Sequence, residues 1–226
     1  MIAPFPTDDD FKRLGPTFPY DNLLLHPDDI LQYFSSEHPV AQISNFGDIL
    51  TWVNSFNGRV YYARRSYIFM SFYIETGIAE NIELFTNEQY IIKDYFDYFA
   101  DTFFYKLFSA WDTIGHIFNI IFHLNVDRPS FEKSLYQLKK SNIDAYHLYE
   151  PIFKDIAYRD AKDVRNDITH NVPPSIADQR PIPATPEITY FGVSKQVLSN
   201  TVFSTATNAI PLLERTVLTL KSRLAS

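Results

Sequence analysis

Three residues, Arg165, Asn166 and His170, have the types and spacing for chemistry. They stand in the run Val164-Arg165-Asn166-Asp167-Ile168-Thr169-His170-Asn171, at the end of a helix-like stretch and just before a proline-rich break. An arginine holds a phosphate and steadies the charge that builds on it. A histidine gives and takes a proton near neutral pH. Such a set is the pattern of a helical nucleotide-binding or RNA-cleaving module. Chance alone supplies roughly one Arg–His pair at such spacings, so the context carries the weight: an Asn directly after the Arg, Val164 and Ile168 on a helix face, and a polar, proline-rich loop beyond. The plain alternative is structural. Arg165 would pair with Asp160, Asp163 or Asp167 on a solvated face, and His170 would cap the helix end, where a cation is favoured.

Helix geometry bears on the choice. Five residues turn an ideal helix by about 140°, so Arg165 and His170 point apart. Asn166 and His170, four apart, share a face that Asp163 and Arg159 extend. For Arg165 to join that face, the helix must loosen after Ile168 or a second subunit must supply the partner group. A symmetric dimer with two such segments across a cleft meets the need.

The elements that must position the segment are helical. Glycine is scarce, at 6 in 226 residues, which favours long helices over hairpins. The clearest helix spans about 87–124, where Ile92, Phe96, Phe99, Phe103, Leu107, Trp111, Ile114, Phe118 and Ile121 recur at a period near 3.6. At that length it is either the spine of a bundle or bent, with Gly115 the expected place for a bend. A helix over about 131–140 follows, and Asn142 reads as the N-cap of one that continues through Ile152, Ile156, Ala161 and Val164 to the motif. A last helix over about 194–224 carries Pro211, an expected kink. Earlier in the chain, a short helix is expected over 28–36, with Pro39 in the first turn of the next. Asn57-Gly58 reads as a helix–helix join before a stretch from Arg59 to Ala79. The fold class is therefore all-α, an antiparallel bundle of four or more main helices with short satellites. Residues 1–27, with five prolines, are expected to form an irregular arm, 28–226 the single bundle domain, and 173–186 an extended proline-rich loop within it.

Composition narrows the classes. Hydrophobic residues at 46% and charged residues at 21% fit a packed core rather than disorder. With no cysteine, disulfides, thiolate zinc and a cysteine nucleophile are excluded. His116 and His123 stand too far apart in angle to hold a metal, so neither metal nor cofactor is expected. The most apolar run, 117–124, is too short to cross a bilayer, and the start of the chain shows no secretory signal, so no membrane partner and a cytoplasmic location are expected. A net charge of −7 weighs against broad nucleic-acid binding but leaves room for a local cationic site. Two smaller features stand out. Asp112 and His116, four apart, can hydrogen-bond on the long helix or simply form a surface pair. Tyr61, Tyr62, Arg64 and Arg65 could stack a base or lie over the edge of the core.

The Arg165–His170 segment resembles the Arg-Asn-x-x-x-His signature of the HEPN superfamily. The stretch Lys106 to His116, with its internal Asp112, is similar to a helix of that superfamily's Cthe_2314-like group. The resemblance covers about residues 60–224. It implies a small helical bundle from prokaryotic defence, toxin–antitoxin or RNA-processing systems, and a metal-independent endoribonuclease that works as a homodimer. Under it, His170 is the general acid or base, Arg165 holds the phosphate, and Asn166 orients the histidine or binds the phosphate. Partners would be RNA or a nucleotide, a second copy, and a partner protein such as an antitoxin. The alternative is a non-catalytic helical dimeric interaction or nucleotide-binding module.

Overall fold

The computed structural model describes residues 4–26, 29, 42–79, 85–170, 182–185, 188–190 and 197–224. Eight α-helices lie among them: α1 (Asp8–Leu14), α2 (Tyr20–Leu23), α3 (Gln42–Glu75), α4 (Asn87–Ile121), α5 (Phe131–Ser141), α6 (Ile143–Phe153), α7 (Ile156–His170) and α8 (Ser199–Leu224). The fold is the all-α bundle that the period of 3.6 implies.

Its spine is the antiparallel pair α3 and α4. Phe69 stacks on Phe99 at 4.0 Å, Tyr73 on Tyr95 at 5.8 Å, and Trp52 on His116 at 3.7 Å. The paired numbers rise on one helix as they fall on the other, which fixes the antiparallel sense. Thr86 starts α4 by accepting the Gln89 N–H at 3.2 Å. The other flank of α4 takes α8, α7 and α5. There the Trp111 indole donates to the Thr216 hydroxyl at 3.2 Å inside the core. Gly115 is not a bend within a broken helix. It is the point where α5 crosses: a Cβ there would sit 2.4 Å from the Ser130 carbonyl carbon. The buried Ser134 hydroxyl donates to the Gly115 carbonyl at 2.8 Å and locks the crossing.

Four expectations change. Asn57-Gly58 is no join, because α3 runs through it. The Asn57 amide is taken up by Leu25, accepting its N–H at 3.0 Å and donating to its carbonyl at 2.8 Å, so it does not compete with the helix. The helix from Asn142 to the motif is two helices, α6 and α7. Pro151 removes a backbone donor near the end of α6, and the Asp155 carboxylate accepts the Ala157 N–H at 2.9 Å to start α7. Ile156 consequently lies 62% exposed, off the apolar face. The first 27 residues are not simply irregular. Thr7 and Asp10 form a reciprocal capping box that starts α1, and Pro16 falls in the first turn of a short 3-10 helix, where its missing N–H is not needed. Phe18, Leu23 and Leu25 then join the main core. Finally, the proline-rich loop ends in an antiparallel hairpin, β1 (Ile182–Thr185) with β2 (Ile188–Tyr190), with an irregular register between Pro183 and Thr185.

The helix expected over 28–36 lies, apart from Asp29, outside the described residues, as do Pro39 and the loop from 173 to 181. Asn142 caps α6 as expected, its side chain accepting the Ala145 N–H at 3.1 Å. Pro211 sits inside α8, which continues to Leu224.

Candidate active site on the last turns of α7

Helix α7 is anchored at one end and open at the other. Tyr158 and Ala161 are fully buried, Val164 and Ile168 are half-buried against the core, and Thr169 and His170 are exposed. Tyr158 is the anchor. Its ring meets Trp111 edge-on at 4.9 Å and lies 5.5 Å from Phe108 and 6.2 Å from Phe131, so α4 and α5 hold it together.

Arg165 leaves α7 on this inner side. Its Nη1 donates to the Asn166 side-chain oxygen at 3.1 Å. Its Nε is shut off from solvent and has no hydrogen-bond partner among the described residues. The Arg165 charge is close enough to lower the pKa of both Asp112 and Tyr158. Burial raises the Asp112 pKa, Glu132 adds to the rise, and the Phe131 amide and Arg165 counter it. Burial first, then Glu132 and Asp112, hold the Tyr158 phenol well above its ordinary range. Glu132 accepts from Tyr158 at 3.4 Å and pairs with Lys162 at 2.6 Å. The guanidinium therefore lies in an acidic setting built by three helices, α4, α5 and α7.

Asp112 has a second task. Its carboxylate accepts the Phe131 N–H at 3.2 Å, at the N-terminus of α5, where the helix dipole favours an anion. It therefore does not hydrogen-bond His116, which stacks on Trp52 instead. Burial lowers the His116 pKa, with Asp112 opposing and Arg59 adding to the shift.

His170 is the last residue of α7, exposed, with no hydrogen bond or ion pair to a described residue. The helix does not loosen before it. Thr169 turns its hydroxyl back to the Arg165 carbonyl at 2.9 Å, within the last turn. The ideal angle of about 140° between Arg165 and His170 therefore stands. The structure joins Arg165 with Asn166 and leaves His170 apart. The Asn166 oxygen is given to Arg165, which leaves the two amide protons of that side chain as the donors it offers.

Local pattern missed Glu132, Lys162 and Tyr158; the crossing of α5 over α4 brings Glu132 to Tyr158 and Lys162, which share α7 with Arg165. Tyr158 alone carried a signal, as a large side chain four residues from Lys162 and seven from Arg165 on one helix. Among the described residues no three His, Asp or Glu side chains gather as a metal site, and no helix is long and apolar enough to cross a membrane.

The chain matches the family of Cthe2314-like HEPN proteins over residues 52–184, more than half its length. The matched stretch takes in most of α3, all of α4 to α7, and the whole Arg165–His170 segment. A search of curated proteins and of solved structures finds no match. The family match, the helical bundle and the placement of the segment at the end of α7 agree: the chain belongs to the HEPN superfamily, in its Cthe2314-like branch.

Proposed function

We propose that this protein is an endoribonuclease that cuts RNA without a metal, with a site assembled across a homodimer from Arg165, Asn166 and His170. The supporting observation is the contrast on α7: a guanidinium steadied by Asn166 near the half-buried acids Asp112 and Glu132, and an exposed imidazole with no hydrogen bond or ion pair to a described residue.

In this reading His170 takes the proton of a ribose 2′-hydroxyl. The 2′-oxygen bonds to phosphorus, the bond from phosphorus to the 5′-oxygen breaks, and the leaving oxygen takes a proton from a protonated histidine or from water. The products are a 2′,3′-cyclic phosphate and a free 5′-hydroxyl. Arg165 stabilises the charge on the phosphoryl oxygens in the transition state, and Asn166 holds its guanidinium in place. Because Arg165 and His170 diverge on one helix, each site draws the arginine from one chain and the histidine from the other.

A second reading has its own support. Helix α7 is unbroken to His170, so a single chain does not converge its own pair. A module that holds RNA or a nucleotide without cutting needs no such convergence. One assay separates the two. A labelled RNA is incubated in EDTA with the wild type, His170→Ala and Arg165→Ala. The ribonuclease reading expects cleavage by the wild type, abolished by 2′-deoxy substitution at the cut. It expects a loss of about 10²–10⁴-fold for His170→Ala and about 10²–10³-fold for Arg165→Ala. Binding without cleavage by the wild type hands the function to the module; full activity in His170→Ala refutes the site.

A further inference from the structure

One face of the α3–α4 spine carries aromatic rings that the core does not use. Tyr62 is 51% exposed and Tyr105 51%, with Tyr61 at 45% beside them. The Lys106 ammonium lies 5.4 Å from the ring centres of both Tyr62 and Tyr105, and Tyr61 meets Tyr62 edge-on at 5.4 Å. Tyr98, 63% exposed, continues the row two turns along α4 from Tyr105.

Cations gather at the Tyr62–Tyr105 end of this face, while Asp101 stands one turn from both Tyr98 and Tyr105 on α4. Arg59, Arg65 and Lys106 form no ion pair among the described residues. That is notable in a chain with 27 acidic and 20 basic residues, where acids are in surplus. The neighbouring Arg64 is different. It folds over Tyr20 at 4.9 Å with its Nε buried, and so serves the core edge. Arg65 stays exposed, with its guanidinium 5.9 Å from the Phe69 ring centre. Tyr105 also lies on the same face of α4 as Asp112, seven residues or about 10 Å along the axis, and Asp112 is the acid that Arg165 acts upon. Asp112 itself is turned to the Phe131 amide.

We propose that this face binds single-stranded RNA, with bases stacked on Tyr62 and Tyr105 and phosphates against Lys106 and Arg65. Exposed aromatic rings interleaved with unpaired cations are what an unpaired strand needs: a π-face for each base and a positive charge for each phosphate. A duplex keeps its bases inside and offers no ring to stack. On α4 the surface stands two turns from Asp112, so it would feed the strand towards the α7 site, and the inference rests on the reading of this chain as an RNA-acting protein.

The test is binding of a fluorescein-labelled, mixed-sequence single-stranded RNA of about 12 nucleotides, a length within the reach of such stacking sites. It is followed by anisotropy in EDTA on the His170→Ala background, so that cleavage plays no part. Tyr62→Ala and Tyr105→Ala should each raise Kd by about tenfold or more. Tyr62→Phe and Tyr105→Phe should stay within about twofold, since stacking needs the ring and not the hydroxyl. Lys106→Ala should weaken binding and flatten its salt dependence. A blunt duplex of the same sequence should bind far more weakly than the single strand. Alanine variants that bind like the parent overturn the proposal, as does failure of the parent to bind RNA. Sedimentation of the same variants identifies the alternative occupant: loss of a dimer with RNA affinity unchanged makes the face an interface between copies and overturns the proposal. Loss of binding in the tyrosine variants together with a wild type that never cuts supports this surface while sinking the ribonuclease reading. Normal cleavage by the same tyrosine substitutions made in the wild-type chain, together with normal binding on the His170→Ala background, does the reverse.

Discussion

Trp111 and His170 mark two opposite regions of one bundle. Around Trp111 the packing is closed. Its indole is paired with Thr216, which in turn donates to the Leu212 carbonyl at 2.7 Å, and Gly115 one turn on admits the backbone of Ser130. At the far end of α7, Arg165 keeps a buried, unpaired Nε, and His170 is exposed, with no hydrogen bond or ion pair to a described residue. Tyr158 joins the two regions, with its ring in the Trp111 cage and its helix leading to the motif. Around Trp111 the polar groups are paired, and at the far end of α7 Arg165 and His170 keep donors without partners among the described residues. A half-anchored helix can present a histidine to a second chain while its arginine is held from behind.

Glycine substitutions break the comparison most sharply. At Gly115→Ala the new Cβ would meet Ser130 and Phe131 backbone atoms at 2.4–2.6 Å. Backbone cannot step aside as a side-chain tip does, so the expected loss is about 3 kcal/mol in urea unfolding. Gly58→Ala, inside α3 with nothing within 4 Å of its Cβ, should instead gain about 0.5–1 kcal/mol from helix propensity. Equal effects at the two sites would show that the α5 crossing is not close-packed.

A smaller effect comes from the polar edge of α4, which lies between the two extremes. Asp101 has its pKa pushed up from 3.8 to about 6, first by burial and then by Asp97, with Lys93 opposing. A carboxyl with a raised folded-state pKa favours the native state fully below 3.8 and loses that contribution as pH rises through about 6. Asp101→Asn removes the loss. The variant should match the wild type at low pH and exceed it at neutral pH, by on the order of 1 kcal/mol once the carboxylate's partial exposure is allowed for. Urea midpoints at the two pH values check this; a variant less stable than wild type at neutral pH contradicts it.

The α4 stripe was legible because it is a local signal. Phe96, Phe103, Leu107, Trp111, Ile114 and Phe118 need only their spacing to be read as core, and all are buried. The capping box of Thr7 and Asp10 was equally local, yet the surrounding prolines masked it. Asn57-Gly58 misled for the opposite reason. What keeps Asn57 helical is the Leu25 backbone, 32 residues away, and no local pattern announces it. The candidate site divides along the same line. Arg165, Asn166 and His170 lie within one helix end and could be read from spacing, including their divergence. The acidic setting of Arg165 could not, since Asp112, Glu132 and Tyr158 are gathered only by the packing of α4, α5 and α7.

The central claim is that the arginine of one chain works with the histidine of another. Arg165→Ala and His170→Ala proteins, each inactive alone, are co-expressed or refolded together, and cleavage of the labelled RNA is measured in EDTA. A composite site expects recovery to about a quarter of wild-type activity, because half of the dimers mix and each mixed dimer keeps one intact pair. A mixture no more active than the single variants, with mixed dimers confirmed by mass, contradicts the account.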